Sequence, residues 1–404
     1  MKVLEINNTD LFSTGNIMLN TACVARSRGH EIMTASKYCK MSLDRHREDC
    51  HHYYIGNRVG NTLHRYWAWM TDLQDTGSVF STLNFLREID RFKPDLIHLH
   101  DILGWYLNID ILFSYIKKKN IPVIWTFHDC WAFTGRCIHF DSVKCDKWKI
   151  GCGNCPQKGY MPGTWWFDHS RWNFKRKERL FTSIEKMTIV TPSQWLADLT
   201  KQSFLGKYPV KVINNGIDLQ VFKPTKGDLY QELKSTGKKI ILGVAGTWSK
   251  RKGLDDFVKL SMDLTDDYLI VLVGLSKEEV PENSKIRAIA RTHNKEELAQ
   301  VYTAADVFAN PTYEDNFPTV NLESLACGTP VVTYSTGGSP ESIKGENGLV
   351  VDQGDCQAFK DALITTIEKR SQHVSDYCVA SAQRYAMEAR FNDYVDLFER
   401  FLHD

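Results

Sequence analysis

Short apolar runs alternate with longer amphipathic stretches along most of the chain. Lys2–Asn7, His30–Ser36, Pro94–His100, Pro122–Phe127, Lys186–Pro192 and Tyr208–Ile213 read as strands in the first half. Lys238–Gly246, Tyr268–Gly274, Ile286–Thr292, Ala304–Ala309, Val331–Tyr334 and Asn347–Val351 do so in the second. Helical patterns separate them, over Ile17–Gly29, from Gln194, from Leu254 and over Glu296–Tyr302. Strand–helix alternation predicts doubly wound parallel sheets, with ligands bound at the carboxyl ends of the strands. His51–Tyr54 reads as a strand edge, and Trp67 and Trp69 flank an amphipathic helix that core packing would explain. From about Cys356 to Asp404 the chain reads as helical, ending in a helix rich in Phe and Tyr.

The predicted strand ends carry the chemistry. After Ala304–Ala309 comes an acidic loop, Glu314-Asp315-Asn316-Phe317-Pro318, which leads into a short helix closed by Gly328-Thr329-Pro330. Asp315 lies on the loop and Glu323 on the helix. The helix start between them, Thr319–Asn321, offers unpaired N–H groups and a positive dipole end that suit a phosphate. Acids around an anion site make sense where they bind sugar hydroxyls, so the outline is that of a nucleotide-sugar site. Lys250-Arg251-Lys252-Gly253 follows another strand end and supplies cations for the same phosphates. His100 and His128 each end a strand, and Ser13-Thr14-Gly15-Asn16 is read as a loop after the first.

Composition narrows the class. The 404 residues exceed one typical core, so two domains are expected. A net charge of +1 without a polybasic tail argues against a dedicated nucleic-acid binder. No apolar run approaches the ~18–20 residues that span a bilayer. The N-terminus reads as a core strand with Glu5 inside it and shows no cleavage pattern, so a cytoplasmic protein is expected. The 11 cysteines are then reduced, metal-bound or buried in preference to disulfide-paired.

Four of them, Cys137, Cys145, Cys152 and Cys155, are spaced C-x7-C-x6-C-x2-C. That spacing fits either a closed, structural zinc site or four unligated or disulfide-paired thiols in a Gly-rich loop. Trp165-Trp166-Phe167 and the basic run Arg171, Lys175, Arg176, Lys177 and Arg179 follow. They suit either an ordinary amphipathic helix or contact with an anionic membrane surface, where a lipid-linked acceptor would reside.

The stretch E-D-N-F-P-T-V-N-L-E-S-L-A-C-G-T-P-V-V (314–332) resembles the Glu-x7-Glu signature of the retaining family 4 nucleotide-sugar glycosyltransferases. P-V-I-W-T-F-H-D (122–129), N-N-G-I-D (214–218) and G-V-A-G-T-W-S-K-R-K-G (243–253) extend the resemblance over nearly the whole chain. F-T-G-R-C and K-W-K-I-G-C-G-N-C-P are similar to the colanic-acid, exopolysaccharide subgroup. The resemblance implies a GT-B architecture: two facing Rossmann-like doubly wound α/β domains with the active site in the cleft. The N-terminal domain would be 1–205 with a Cys-rich insertion at 137–180, the C-terminal domain 206–380, and 381–404 a helix crossing back. It implies no catalytic cofactor or metal and no nucleic-acid partner, with a nucleoside diphosphate sugar as donor and a saccharide or lipid-linked saccharide as acceptor. It assigns Lys252 to the diphosphate; Thr247 stands where the family's Arg is usual, so either Arg251 or Lys250 compensates or the phosphate is held with one cation fewer. Glu323 falls to the ribose, Asp315 or Glu314 to the sugar, His128 to the reacting carbon, and Gly15, Thr319, Val320 and Asn321 to the donor phosphates. A sugar-nucleotide epimerase of the same architecture is the alternative. Glycogen-phosphorylase-like enzymes need a much longer chain, and a pure carbohydrate-binding module would not need the cationic loop.

Overall fold

The structure is a computed structural model that describes residues 1–42, 51–280, 282 and 284–401. Cys50, one of the 11 cysteines, and the last three positions of the C-terminal helical stretch lie outside the described residues. The chain divides into two compact units, Met1–Ile213 with Phe391–Asp404, and Asn214–Arg390.

The first unit is built on β1 (Lys2–Asn7), β2 (Glu31–Lys37), β3 (His52–Ile55), β4 (Leu96–Leu99), β5 (Val123–Thr126), β6 (Met187–Thr191) and β7 (Val210–Val212), in spatial order β3-β2-β1-β4-β5-β6-β7. All its pairings are parallel. β1, β4, β5 and β6 are buried almost throughout, because helices cover both faces of such a sheet. The second unit holds β8 (Lys239–Val244), β9 (Tyr268–Val273), β10 (Ile286–Ile289), β11 (Val307–Asn310), β12 (Val331–Tyr334) and β13 (Gly348–Val351), ordered β10-β9-β8-β11-β12-β13 and again parallel. Both sheets thus reverse direction beside their first strand, at β1/β4 and at β8/β11, where crevices open for ligands.

Side-chain caps set several helix starts: Asn57, Asn108, Ser193, Asn294, Asp355 and Ser371 each accept from an N–H one turn on. Two boundaries differ from expectation. Ala304 and Ala305 finish a helix instead of opening β11, as alanine's helix preference allows. The first helix runs Phe12–Ser27, so Gly15 sits buried inside it and not in a loop. A Cβ there would lie 2.4 Å from the Asp10 carbonyl carbon, so Gly15 serves close packing of the helix on the preceding chain.

The helix Met387–Arg400 enters the first unit at Phe391 and buries Phe391, Tyr394, Val395, Leu397 and Phe398. Arg28 holds it through Asp396 and Glu399, each at 2.5 Å, and His30 meets Glu399 at 2.9 Å. No helix among the described residues is long and apolar enough to cross a membrane. Phe398 has no exposed surface and packs on the His98 ring. Phe398→Ala is expected to lower the first unit's stability by ~3–5 kcal/mol, read as a lower urea midpoint; an unchanged midpoint would show that this helix adds little.

Candidate functional site

In the second unit the loops after β8 and β11 approach each other through a glycine. The turn Lys250–Lys252 ends at Gly253, whose φ of +74° is left-handed. A Cβ on Gly253 would lie 2.3 Å from the Pro311 carbonyl oxygen, so only glycine lets the two loops meet here. Tyr313 N–H donates to the Arg251 carbonyl at 2.8 Å, and the Arg251 guanidinium donates to the Glu314 carbonyl at 3.0 Å. Lys252 Nζ then lies 2.5 Å from Asp315 Oδ2. Both partners keep some exposure, 22 % and 17 % of their side chains. Glu314, by contrast, is 3 % exposed. Asp315 is the acid at the surface of this crevice.

The helix Thr319–Ala326 follows, and no side chain caps its start. The Thr319 and Val320 N–H groups face forward there, whereas the Asn321 N–H bonds the Pro318 carbonyl at 3.3 Å. The Asn321 side chain is fully buried. It accepts from Asn310 and donates to Ser339 and Ser342, tying β11 to the turn Ser339–Ser342. Asn321 therefore braces the helix from behind, and its side chain is not presented to a donor. Glu323 receives the Tyr302 hydroxyl at 3.0 Å. Burial pushes its carboxyl up to about 7, against the opposing effects of Tyr302, Lys295 and Thr319. On β10, Arg287 pairs with Glu232.

The first unit's reversal, β1/β4, gathers a second group. Asp101 accepts from Asn8 at 2.7 Å and from the Leu103 N–H at 3.1 Å. His128, partly exposed after β5, lies 3.2 Å from His100, which reaches Glu5 of β1 at 2.8 Å. Glu5, His98 and His100 were not singled out as a group in the sequence. The signal was present: His-x-His in a buried strand puts both rings on one face.

The cysteine loop brings Cys137 and Cys155 to 3.9 Å, near the ~3.8 Å between two ligands of one tetrahedral zinc. Among the described residues, however, no three of the four thiols converge within 4.8 Å, so as placed they do not fit a single ion. Cys155 is held down to about 7 chiefly by its bond from Cys137, while burial raises Cys152 to about 11. The basic run divides. Arg171, Lys175 and Arg179 are exposed, but Arg176 and Lys177 are buried, where Arg176 pairs with Asp110 at 2.5 Å. Lys177 sits 3.7 Å over the Trp131 ring and donates to its carbonyl, and burial pulls its ammonium down to about 7. Five prospective interfacial cations become three.

Two Rossmann-like sheets of this order, each with polar groups gathered at its reversal, define the GT-B class of glycosyltransferase folds. Residues 15–221 match the family Glycosyltransferase Family 4, and residues 238–369 match Glycosyl transferases group 1. The chain belongs to the family 4 glycosyltransferases. It is 24 % identical over 318 residues to WcaC of Escherichia coli (strain K12), described as a colanic acid biosynthesis glycosyl transferase, covering 76 % of each chain. Among solved structures it resembles sucrose-phosphate synthase from Thermosynechococcus elongatus, with a TM-score of 0.74 at 16 % identity over 100 % of this chain and 99 % of the other. It also resembles Anabaena HepE in complex with UDP, with a TM-score of 0.69 at 14 % identity over 99 % and 100 % of the two chains.

The raised Glu323 carboxyl has a stability consequence. Between the ordinary carboxyl range and about 7 the folded state holds a proton that the unfolded state has lost, so this contribution disappears as pH rises through 7. Glu323→Gln has no such proton to lose. From pH 5 to pH 8 its Tm should gain on wild type by a few degrees, ~2–4 °C per kcal/mol, in differential scanning fluorimetry; a constant difference would show that Glu323 titrates normally.

Proposed function

We propose that this glycosyltransferase moves a sugar from a nucleoside diphosphate sugar to a saccharide acceptor, with retained anomeric configuration, in the synthesis of a surface polysaccharide. The observation that carries the reading is Lys252, paired with Asp315, on the loops that flank the uncapped start of the helix Thr319–Ala326. A diphosphate would take Asp315's place as the partner of Lys252 and meet the Thr319 and Val320 N–H groups. Asp315, released, would accept from sugar hydroxyls, and Glu323 from the ribose. His128 is assigned to the sugar near its reacting carbon. The UDP complex of the structurally similar HepE supports a nucleotide donor, and the name of WcaC supports a polysaccharide product.

In the transfer, the bond between the anomeric carbon and the diphosphate oxygen breaks, and the acceptor oxygen attacks the same face. The acceptor's proton passes to the departing phosphate oxygen. Lys252 and the helix start stabilise the charge that grows on the leaving group, so their effect is larger in the transition state than in the ground state. Arg251, through its bond to the Glu314 carbonyl, holds the loop that carries Asp315. Lys252→Ala is expected to lower turnover by about 10²-fold or more while the fold is kept. Thermal protection by UDP-, GDP- or dTDP-sugars should identify the donor, since a bound donor stabilises by mass action. Near-normal turnover of Lys252→Ala, with the fold kept, would refute this site.

The acceptor is proposed to be lipid-linked and reached at the inner membrane face. The helix Arg58–Thr71 exposes Val59, Leu63, Tyr66, Trp67 and Met70 along one face, where simple core packing was expected. Trp165 lies against Tyr66 and Trp69, joining the exposed Trp166 and Phe167 to that face, with Arg171 and Lys175 on the helix that follows. Such a mixture suits an anionic bilayer surface. Sedimentation with vesicles containing anionic phospholipid should fall several-fold for Trp165→Ala/Trp166→Ala and for Arg171→Glu/Lys175→Glu; partitioning equal to wild type would remove the membrane contact.

A further inference from the structure

A run of buried polar side chains leads through the first sheet to His128. Glu5 on β1 stands opposite His98 on β4, and His100 follows on the same face. Glu5 and His98 have no exposed surface, and His100 is 1 % exposed. His100 Nε2 lies 2.8 Å from Glu5 Oε2, and His100 Nδ1 lies 3.2 Å from His128 Nε2. The His100 and His128 rings are 8° from parallel with centroids 5.5 Å apart. His98 Nδ1 approaches the same Glu5 oxygen at 2.9 Å, its Nε2 meets the Thr126 hydroxyl at 2.8 Å, and Tyr394 and Phe398 cover its ring. Parallel strands are ordinarily apolar at such positions, and a buried carboxylate is costly unless well partnered. Packing alone does not call for this group.

We propose that Glu5 and His100 are positioning residues that hold His128 as the neutral tautomer protonated on Nε2, with its lone pair on Nδ1. The argument follows the protons. Burial pushes the Glu5 carboxyl up, but His98 and His100 outweigh it and hold it at about 2, so Glu5 accepts. Burial, then His98, pulls His100 down to about 4 against the pull of Glu5. Burial, then His100 and His98, also lowers His128. A neutral His100 that donates from Nε2 to Glu5 has a lone pair on Nδ1. The proton in the 3.2 Å contact must then come from His128 Nε2. Asp101, next to His100 in sequence, is pushed well up by burial and adds little opposing charge; Asp129, next to His128, is raised to about 6, and what lowers His128 is burial with His100 and His98. A neutral acceptor is what a site needs beside a carbon gaining positive charge, because an imidazolium there would repel it. This role rests on the reading that His128 meets the sugar.

The test separates the relay from that reading. Protein labelled with 15N-histidine is examined by long-range 1H–15N NMR, and the His128 signals are identified by their loss in His128→Gln. Wild type should show one tautomer, protonated at Nε2. Glu5→Met and His100→Phe should show averaged nitrogens at His128, and release of nucleoside diphosphate from UDP-, GDP- or dTDP-sugars should fall ~10-fold in kcat with KM within ~3-fold. Each variant removes one partner of a buried group and should also lower stability, so turnover is compared at a temperature at which both remain folded. A wild-type His128 protonated at Nδ1 or on both nitrogens, or the wild-type tautomer kept in Glu5→Met, would overturn the relay. Should the variants not fold, the wild-type spectrum still decides. Full activity in His128→Ala together with the expected spectra would sink the role of His128 in transfer and leave the relay standing.

Discussion

A parallel sheet that adds strands in both directions from its first strand must send two neighbouring loops to opposite faces. This constraint operates twice in the chain, and the gathered polar groups of both units lie where it operates. At β8/β11 it parts the loop of Lys252 from the helix of Glu323, and Gly253 then draws the loop back until it touches Pro311. At β1/β4 it leaves Asn8, Asp101 and His100 around a gap that His128 borders. The strands supply rigidity through continuous apolar burial, and the reversal supplies the opening.

The second unit holds the charges at its reversal in neutralising contacts. Lys252 neutralises Asp315, and burial favours a protonated Glu323 held under the Tyr302 hydroxyl. The start of the helix Thr319–Ala326 is left uncapped by side chains, and it favours an anion. An incoming diphosphate would replace the Asp315 carboxylate as the partner of Lys252, so the cation is already in place for it. Pre-organisation of this kind limits how far the loops must move for the chemistry to begin.

The two-sheet α/β class was legible because parallel strands, buried on both faces, appear as unbroken apolar runs such as Lys239–Val244 and Val331–Tyr334. The proximity of Lys252 and Asp315 was legible only in part. Spacing put each at a strand end, but their 2.5 Å pairing depends on Gly253, whose left-handed turn has no periodic signature. Other features were hidden for definite reasons. Asn321 looks like a phosphate ligand by position, yet its partners Asn310, Ser339 and Ser342 come from distant segments. Arg176 and Lys177 count as surface charge in any composition, and only packing shows that Asp110 and Trp131 take them inside. The apolar face of Arg58–Thr71 has helical period, and period cannot tell a face turned to the core from one turned out.

Buried charge is distributed unevenly and to a purpose. Among its described residues the second unit buries two charged side chains, Asp256 and Glu314. The first unit buries Glu5, Asp72, Asp75, Arg136, Arg176 and Lys177, several of them in direct pairs such as Arg136–Asp72 at 3.2 Å. Pairs of this kind rarely stabilise a fold more than well-packed hydrocarbon of the same volume would. What they do provide is a single solution for loops that lack regular structure: Asp72 fixes Arg136 and the His169 N–H, and Arg176 fixes the carbonyls of Gln74 and Asp75. These contacts anchor the long stretch between β5 and β6, which opens with Phe127 and His128. The ring at the strand end is thus held from two sides, by the histidine pair behind it and by a charged scaffold around the segment it opens.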